Sequence, residues 1–262
     1  AYKEKGITSN KVVQQAKKFL SLKKVGHLGT LDPMAEGLLV LAVNRATRFS
    51  SFFLESDKSY EAEICFGIKT DTDDAMGRVI EESSLIPKEL DVKKELNKFL
   101  GESLQNPPFF SALKHKGKPL YKYARDGEFI SKSPRRVNIY SIKNFNYFNN
   151  RCSFLIHCSK GTYIRSIARD LGDNLGSGGH LSALKRVTQG EFSIEQSKIP
   201  SELEMKKVIS IESAFQFFKE IKLNEEETKV FLNGGKLAVE NQQSDFFRIY
   251  DFSNKFLGLG VI

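Results

Sequence analysis

The 262 residues carry 40 Lys and Arg against 32 Asp and Glu, with 40% apolar side chains that include 8 tyrosines and 21 phenylalanines. This supplies the core of one large domain, or of a main domain with a small appendage, and a net charge of +8 suits a polyanionic partner. With no run of 18 apolar residues and no signal peptide, the reading is a cytoplasmic protein without a membrane segment. The first residue is alanine, so a few N-terminal residues are expected to be missing.

Helical spacing of Val12, Val13, Ala16, Phe19 and Leu20 predicts a helix over Lys11–Leu20, capped by Thr8, Ser9 or Asn10. Leu38–Val43 is a short apolar run, and Asn44–Arg48 leads into a second helical pattern. A strand is expected over Tyr60–Phe66. The polar loop Gly67–Gly77 lacks the glutamate at its twelfth position that an EF-hand needs, so its carboxylates are assigned to turns and caps. Leu85–Leu100 reads as a loop and helix. Val137–Phe148 and Arg151–Cys158 form an antiparallel pair turning at Asn149-Asn150. In the second strand Cys152, Phe154, Ile156 and Cys158 share the apolar face. These spacings, with no C-x-x-C pair and four scattered histidines, predict reduced thiols and no metal site. A helix begins after Ser159-Lys160-Gly161-Thr162-Tyr163, with Ile164, Ile167, Ala168 and Leu171 on one face. Lys198–Ile221 is a polar linker with a short helix, and a small β-rich tail follows from Glu225.

Charge is concentrated rather than spread. Pro107–Arg136 contains eight basic residues against Asp126 and Glu128, whereas the last 38 residues carry four basic and six acidic side chains. Phe109, Tyr121 and Tyr123 stand among these lysines and arginines, giving stacking surfaces beside phosphate contacts. Charge runs also serve simply as solvated faces.

The stretch Gly26-His27-Leu28-Gly29-Thr30-Leu31-Asp32-Pro33-Met34-Ala35-Glu36-Gly37 sets a carboxylate in a glycine-lined turn, with Pro33 restricting it from behind. The same Asp-Pro would also serve to cap a helix, with Glu36 in its first turn. This stretch resembles the motif G-H-x-G-[TA]-L-D-P-x-A-x-G of the TruB type of tRNA pseudouridine synthase. Further blocks agree in order: Gly6-Ile7-Thr8-Ser9-Asn10, although Glu4 replaces the usual proline; Gly67-Ile68-Lys69-Thr70-Asp71-Thr72-Asp73-Asp74; and Cys158-Ser159-Lys160-Gly161-Thr162-Tyr163-Ile164-Arg165. Phe231–Lys236 and Phe256–Gly260 resemble pieces of a PUA-like RNA-binding domain.

The resemblance implies an α/β fold with a mixed, largely antiparallel sheet flanked by helices. It divides the chain into a catalytic domain over 1–222, with an RNA-gripping basic segment at about 106–136, and a short PUA-like domain over 223–262. The implied activity is isomerisation of uridine-55 in the T loop of tRNA, by a monomeric stand-alone enzyme needing no cofactor, metal or protein partner. Asp32, Tyr60 and Arg165 are then the catalytic candidates. Asp32 either attacks the anomeric carbon or takes a sugar proton, Arg165 holds both its oxygens, and Tyr60 packs on the flipped base or relays a proton. His27, Gly29, Lys58, Tyr163, Leu184, Lys114, Lys118, Tyr121 and Arg125 are the expected substrate contacts. His27 would fill the space a flipped base vacates, and Leu184 would wall the pocket. Two alternatives stand beside this: a guide-RNA-dependent synthase, and a tRNA-binding or folding module with incidental catalysis.

Overall fold

The computed structural model describes residues 1–237 and 246–261, in two compact units that divide between Leu203 and Glu204. In the first unit, short strands β1 (Tyr2–Lys3), β2 (Val25–His27), β3 (Glu36–Leu38) and β4 (Leu41–Val43) surround helix α1 (Ser9–Phe19). Thr8 caps α1 by accepting from the Lys11 N–H, and Val12, Val13 and Ala16 bury one face, as the spacing predicts. The second helical pattern is a 3-10 turn over Asn44–Phe49 running into α2 (Ser50–Leu54).

Strand β5 (Lys58–Phe66) is followed by a ribbon of β6 (Ile68–Thr70) and β7 (Val79–Glu82), then α3 (Glu89–Asn97) and β8 (Gly101–Gln105). The basic segment makes a small hairpin, β9 (Lys114–His115) with β10 (Lys118–Pro119), and the helix α4 (Leu120–Arg125). Strands β11 (Arg135–Phe148) and β12 (Arg151–Cys158) pair antiparallel as expected. Asn149 and Asn150 both adopt left-handed backbone angles, φ 47° and 55°, which a two-residue hairpin turn requires. Helix α5 (Ile164–Asn174) follows, then β13 (Gly179–Gln189) and β14 (Phe192–Ser193).

These strands form an eight-stranded sheet in the order β1-β3-β13-β5-β12-β11-β8, with β14 added on β13. Every pairing is antiparallel except β3 with β13. The fold is thus the expected mixed, largely antiparallel sheet with helices. Tyr60, Ala62, Ile64 and Phe66 lie on one face of β5, with Cys152, Phe154, Ile156 and Cys158 of β12 beside them. Ile164, Ile167, Ala168 and Leu171 of α5 complete this core. The three cysteines are free and buried. Periodicity assigns no element to Leu181–Arg186, yet it lies in β13. Several of its buried positions are polar, His180, Ser182, Arg186 and Gln189, so the polar–apolar alternation of an ordinary strand is lost.

The second unit contains α6 (Ile211–Ala214), β15 (Glu220–Lys222), α7 (Glu225–Leu232), β16 (Phe246–Tyr250) and β17 (Phe256–Val261). The strands order as β15-β16-β17 around Leu223, Phe247 and Ile249. The break at 203/204, rather than at 222/223, follows from β15, which pairs in parallel with β16 and so belongs to the tail's sheet. The tail also opens on a helix instead of a strand, because Asn224 and Glu227 form a reciprocal capping box. Among the described residues no helix is long and apolar enough to cross a membrane.

Candidate active site

Asp32 sits in an irregular crossing between β2 and β3, and three anchors fix it. On one side the Ser9 hydroxyl accepts from the Leu31 N–H at 2.9 Å and donates to the Leu31 carbonyl at 3.0 Å. On the other, the Pro33 carbonyl accepts from the Gly6 N–H at 2.8 Å and from the buried Lys3 ammonium at 3.3 Å. Between them the Asp32 carbonyl accepts from the Ala35 N–H at 3.0 Å, closing a turn with Pro33 at its first corner. No helix starts there, so the capping alternative does not hold. Gly37 ends the motif at φ +101°, where a Cβ would lie 2.5 Å from the Arg186 carbonyl oxygen across the parallel β3–β13 pairing. Gly26, by contrast, has ordinary strand geometry, and a Cβ there would meet nothing nearer than 4.0 Å.

Arg165, one residue into α5, reaches Asp32 from 133 positions along the chain. Its side chain is 4% exposed, and its three nitrogens face three segments. Nε donates to Asp32 Oδ2, Nη1 to the Thr72 carbonyl and Nη2 to the Phe110 carbonyl, each at 2.9 Å. Asp74 Oδ2 lies 3.8 Å from Nε. The expected two-oxygen grip is therefore corrected to a single contact, because both terminal nitrogens are engaged by carbonyls. Asp32 Oδ1 has no hydrogen-bond partner among the described residues, and the carboxylate side chain is 36% exposed. The Gln105 side chain fixes the base of α5, accepting from the Tyr163 N–H at 2.8 Å and donating to its carbonyl at 3.1 Å.

Tyr60 is buried in the core that also contains Leu31, Met34 and Leu184. Burial pushes its phenol up to about 12, although the hydrogen-bonding Arg186 guanidinium opposes the rise. Arg186 is the residue that sequence reasoning misses. It is 1% exposed, donates from Nε to the Leu38 carbonyl at 2.8 Å and from Nη2 to the Gly29 carbonyl at 3.0 Å, and faces the Tyr60 hydroxyl. An arginine beside Lys185 on a strand reads as surface; only the parallel β3–β13 contact encloses it. Asp73 and Asp74 are also more than turn formers. Asp73 pairs with Arg169 at 3.1 Å, and Asp74 accepts from the Thr72 hydroxyl and the Met76 N–H.

The remaining candidates divide. His27 ends β2 half-buried, and its Nδ1 is enclosed without a partner among the described residues. Burial first, then the charge of Arg186, holds its pKa below the usual imidazole value. Gly29 contributes its carbonyl to Arg186. The Tyr163 ring lies beneath the Arg135 guanidinium at 5.8 Å. The Lys58 ammonium does not reach outward as a substrate contact would, since it donates to the Leu54 and Ser56 carbonyls. Burial lowers its pKa to about 8. Within the basic segment, Lys114 is exposed, whereas Lys118 pairs with Asp126 at 2.6 Å and lies 4.5 Å from the Tyr123 ring centre. Arg125 stacks on Tyr121 at 5.4 Å. No cluster of three or more metal-ligating side chains occurs among the described residues.

Two family profiles match the chain. Residues 17–164 match the N-terminal domain of the TruB family pseudouridylate synthases, and residues 220–262 match the C-terminal domain of pseudouridine synthase II TruB. The chain belongs to the TruB family. It is 42% identical to tRNA pseudouridine synthase B of Francisella philomiragia, covering 98% of this chain and 88% of that one. Identity is 41% to the protein of the same name from Clostridium kluyveri and 40% to that from Aquifex aeolicus, each match covering 99% of this chain and 93% of the relative. Among solved structures, one chain of a Cbf5-Nop10-Gar1 complex superposes with a TM-score of 0.71 at 25% identity, covering 99% of this chain and 76% of that one. The TruB N-terminal profile ends one residue before Arg165, so that arginine's link to Asp32 comes from the geometry.

Proposed function

We propose that this chain is a stand-alone tRNA pseudouridine synthase that converts uridine-55 of the T loop, and that the Asp32–Arg165 ion pair carries the reaction. Names and lengths of the similar proteins support the substrate, and the contact at 2.9 Å between buried Arg165 and part-exposed Asp32 supports the chemistry. The uridine leaves its stack, at a cost of a few kcal/mol, and presents its sugar to Asp32. Arg165 holds Oδ2 by a charge-assisted hydrogen bond and leaves Oδ1 for the substrate. That oxygen either bonds to C1′ as the N1–C1′ bond breaks, or takes the C2′ proton to give a glycal. In both routes the uracil turns and C5 bonds to C1′, as the Oδ1–C1′ bond breaks in the first or Asp32 returns the proton to C2′ in the second; C5 then loses its proton and N1 gains one. The isomerisation is redox-neutral.

Tyr60 and Leu184 form the apolar side of the base pocket, and Arg186 orients the Tyr60 hydroxyl while bracing the Gly29 carbonyl. The first unit is the catalytic domain and the second a PUA-like RNA-binding domain. The enzyme works in the cytoplasm as a monomer. Incubating the purified chain with unmodified tRNA, without guide RNA or protein, and mapping pseudouridine tests this. Conversion at position 55 alone is expected. A need for added guide RNA would replace the reading with the guide-dependent one, and binding without conversion would leave an RNA-binding module.

A further inference from the structure

A cavity lies where β12 passes into α5. Its volume is about 550 Å³, and it is lined by three cations, Arg135, Arg136 and Lys160, with two acids, Glu55 and Glu102, and by Gly161. Leu54 and Val137 are the large apolar residues of the lining, and its cations outnumber its acids by one. Arg135 lies over the Tyr163 ring, and its Nε is buried without a hydrogen-bond partner among the described residues. Gly161 adopts φ +74°, and a Cβ there would come within 3.3 Å of Arg135 Nη1; the missing side chain keeps the guanidinium's side of the cavity open. Lys160 is tied to Glu55, an exposed pair that an arriving anion would compete to open.

We propose that this cavity is a phosphodiester subsite, holding the backbone of the nucleotide next to the uridine presented to Asp32. The proposal rests on the RNA-modifying reading above. Two features join it to the reaction centre. The Arg135 guanidinium packs over the Tyr163 ring, 5.8 Å from its centre. Arg165 is two residues further along the same chain segment, so a phosphate seated on Arg135 bears on the base of the helix that aims the ion pair. The volume admits a nucleotide, and the cations supply what a single phosphate needs.

The test uses the full chain and a T stem-loop RNA, with Arg136→Ala and Lys160→Ala combined because both side chains are exposed and fold-neutral. Binding is measured against salt, together with steady-state conversion. The double variant is expected to reduce the salt slope by about one, raise KM about 5- to 30-fold and leave kcat within about two-fold. A methylphosphonate placed at one linkage beside the target uridine should weaken binding of the unaltered protein several-fold, and that of the double variant by no more than about 1.5-fold. An unchanged salt slope, or equal methylphosphonate penalties at every linkage in both proteins, would overturn the subsite. If the unaltered protein binds the RNA but converts nothing, the catalytic reading fails while the binding arm still decides the subsite.

Discussion

At the scale of single residues, the site is a division of labour within one guanidinium. Arg165 gives Asp32 one hydrogen bond and no second nitrogen, so one carboxylate oxygen stays available for the role proposed above. Asp32→Asn keeps the shape and removes the charge. Conversion of a T stem-loop is expected to fall at least 10³-fold, about 4 kcal/mol of barrier, with RNA affinity within about three-fold by filter binding. Tyr60, pushed up to about 12 by burial, stays a neutral phenol throughout the working range. The pH–rate profile between 6 and 10 should therefore show no alkaline limb that disappears in Tyr60→Phe; a limb lost in that variant would assign Tyr60 an ionised role. Asp32 was legible through the resemblance of its motif, since the spacing of glycines, aspartate and proline alone left helix capping open. Arg186 was not, since its burial depends on a strand from the other end of the unit.

At the scale of elements, α5 acts as a clamp. Arg165 and Arg169 stand one turn apart, and each reaches both the 70–77 loop and the root of the basic segment. Arg165 bonds the Thr72 and Phe110 carbonyls, and Arg169 bonds Asp73 and, at 3.2 Å, the Asn106 carbonyl. Ser166 adds a 2.8 Å bond to the same Asn106 carbonyl. Arg169→Ala should cost about 1–3 kcal/mol by urea unfolding. The Asp73 carboxyl is raised to about 6, chiefly by burial against the opposing pull of Arg169. A raised folded pKa gives stability that is full below the unfolded value and lost as pH rises through 6. The variant's deficit should thus deepen between pH 4 and 7. A deficit that stays constant over that window would remove Asp73 from the explanation. The helix itself was readable from its apolar spacing, but the clamp requires knowing which loops pass its first two turns.

For the whole molecule, the sequence places most of the net charge in one segment, and the structure roots that segment on Arg165. In the proposed reading, grip and chemistry would share that anchor. Replacing Lys114, Lys116, Lys118 and Lys122 by alanine should flatten the salt dependence of tRNA binding by about two to three, since each phosphate contact contributes about 0.7–0.9 to the slope. The full set is not expected to count, because Lys118 is already paired with Asp126. An unchanged slope would take the segment out of the RNA contact.

What the amino-acid order determined by itself was local: capped α1, the Asn149-Asn150 hairpin, the cysteine-bearing strand, the amphipathic α5 and the turn that presents Asp32. Each depends on spacing within a few residues, where backbone angles and side-chain alternation act directly. Only the tertiary structure decided which charges meet. The partners of Asp32 and Tyr60, and the assignment of β15 to the second unit, arise from contacts between segments distant in the chain and from burial. Those pairings set the dielectric and the number of donors left to each acid, and no local pattern records them.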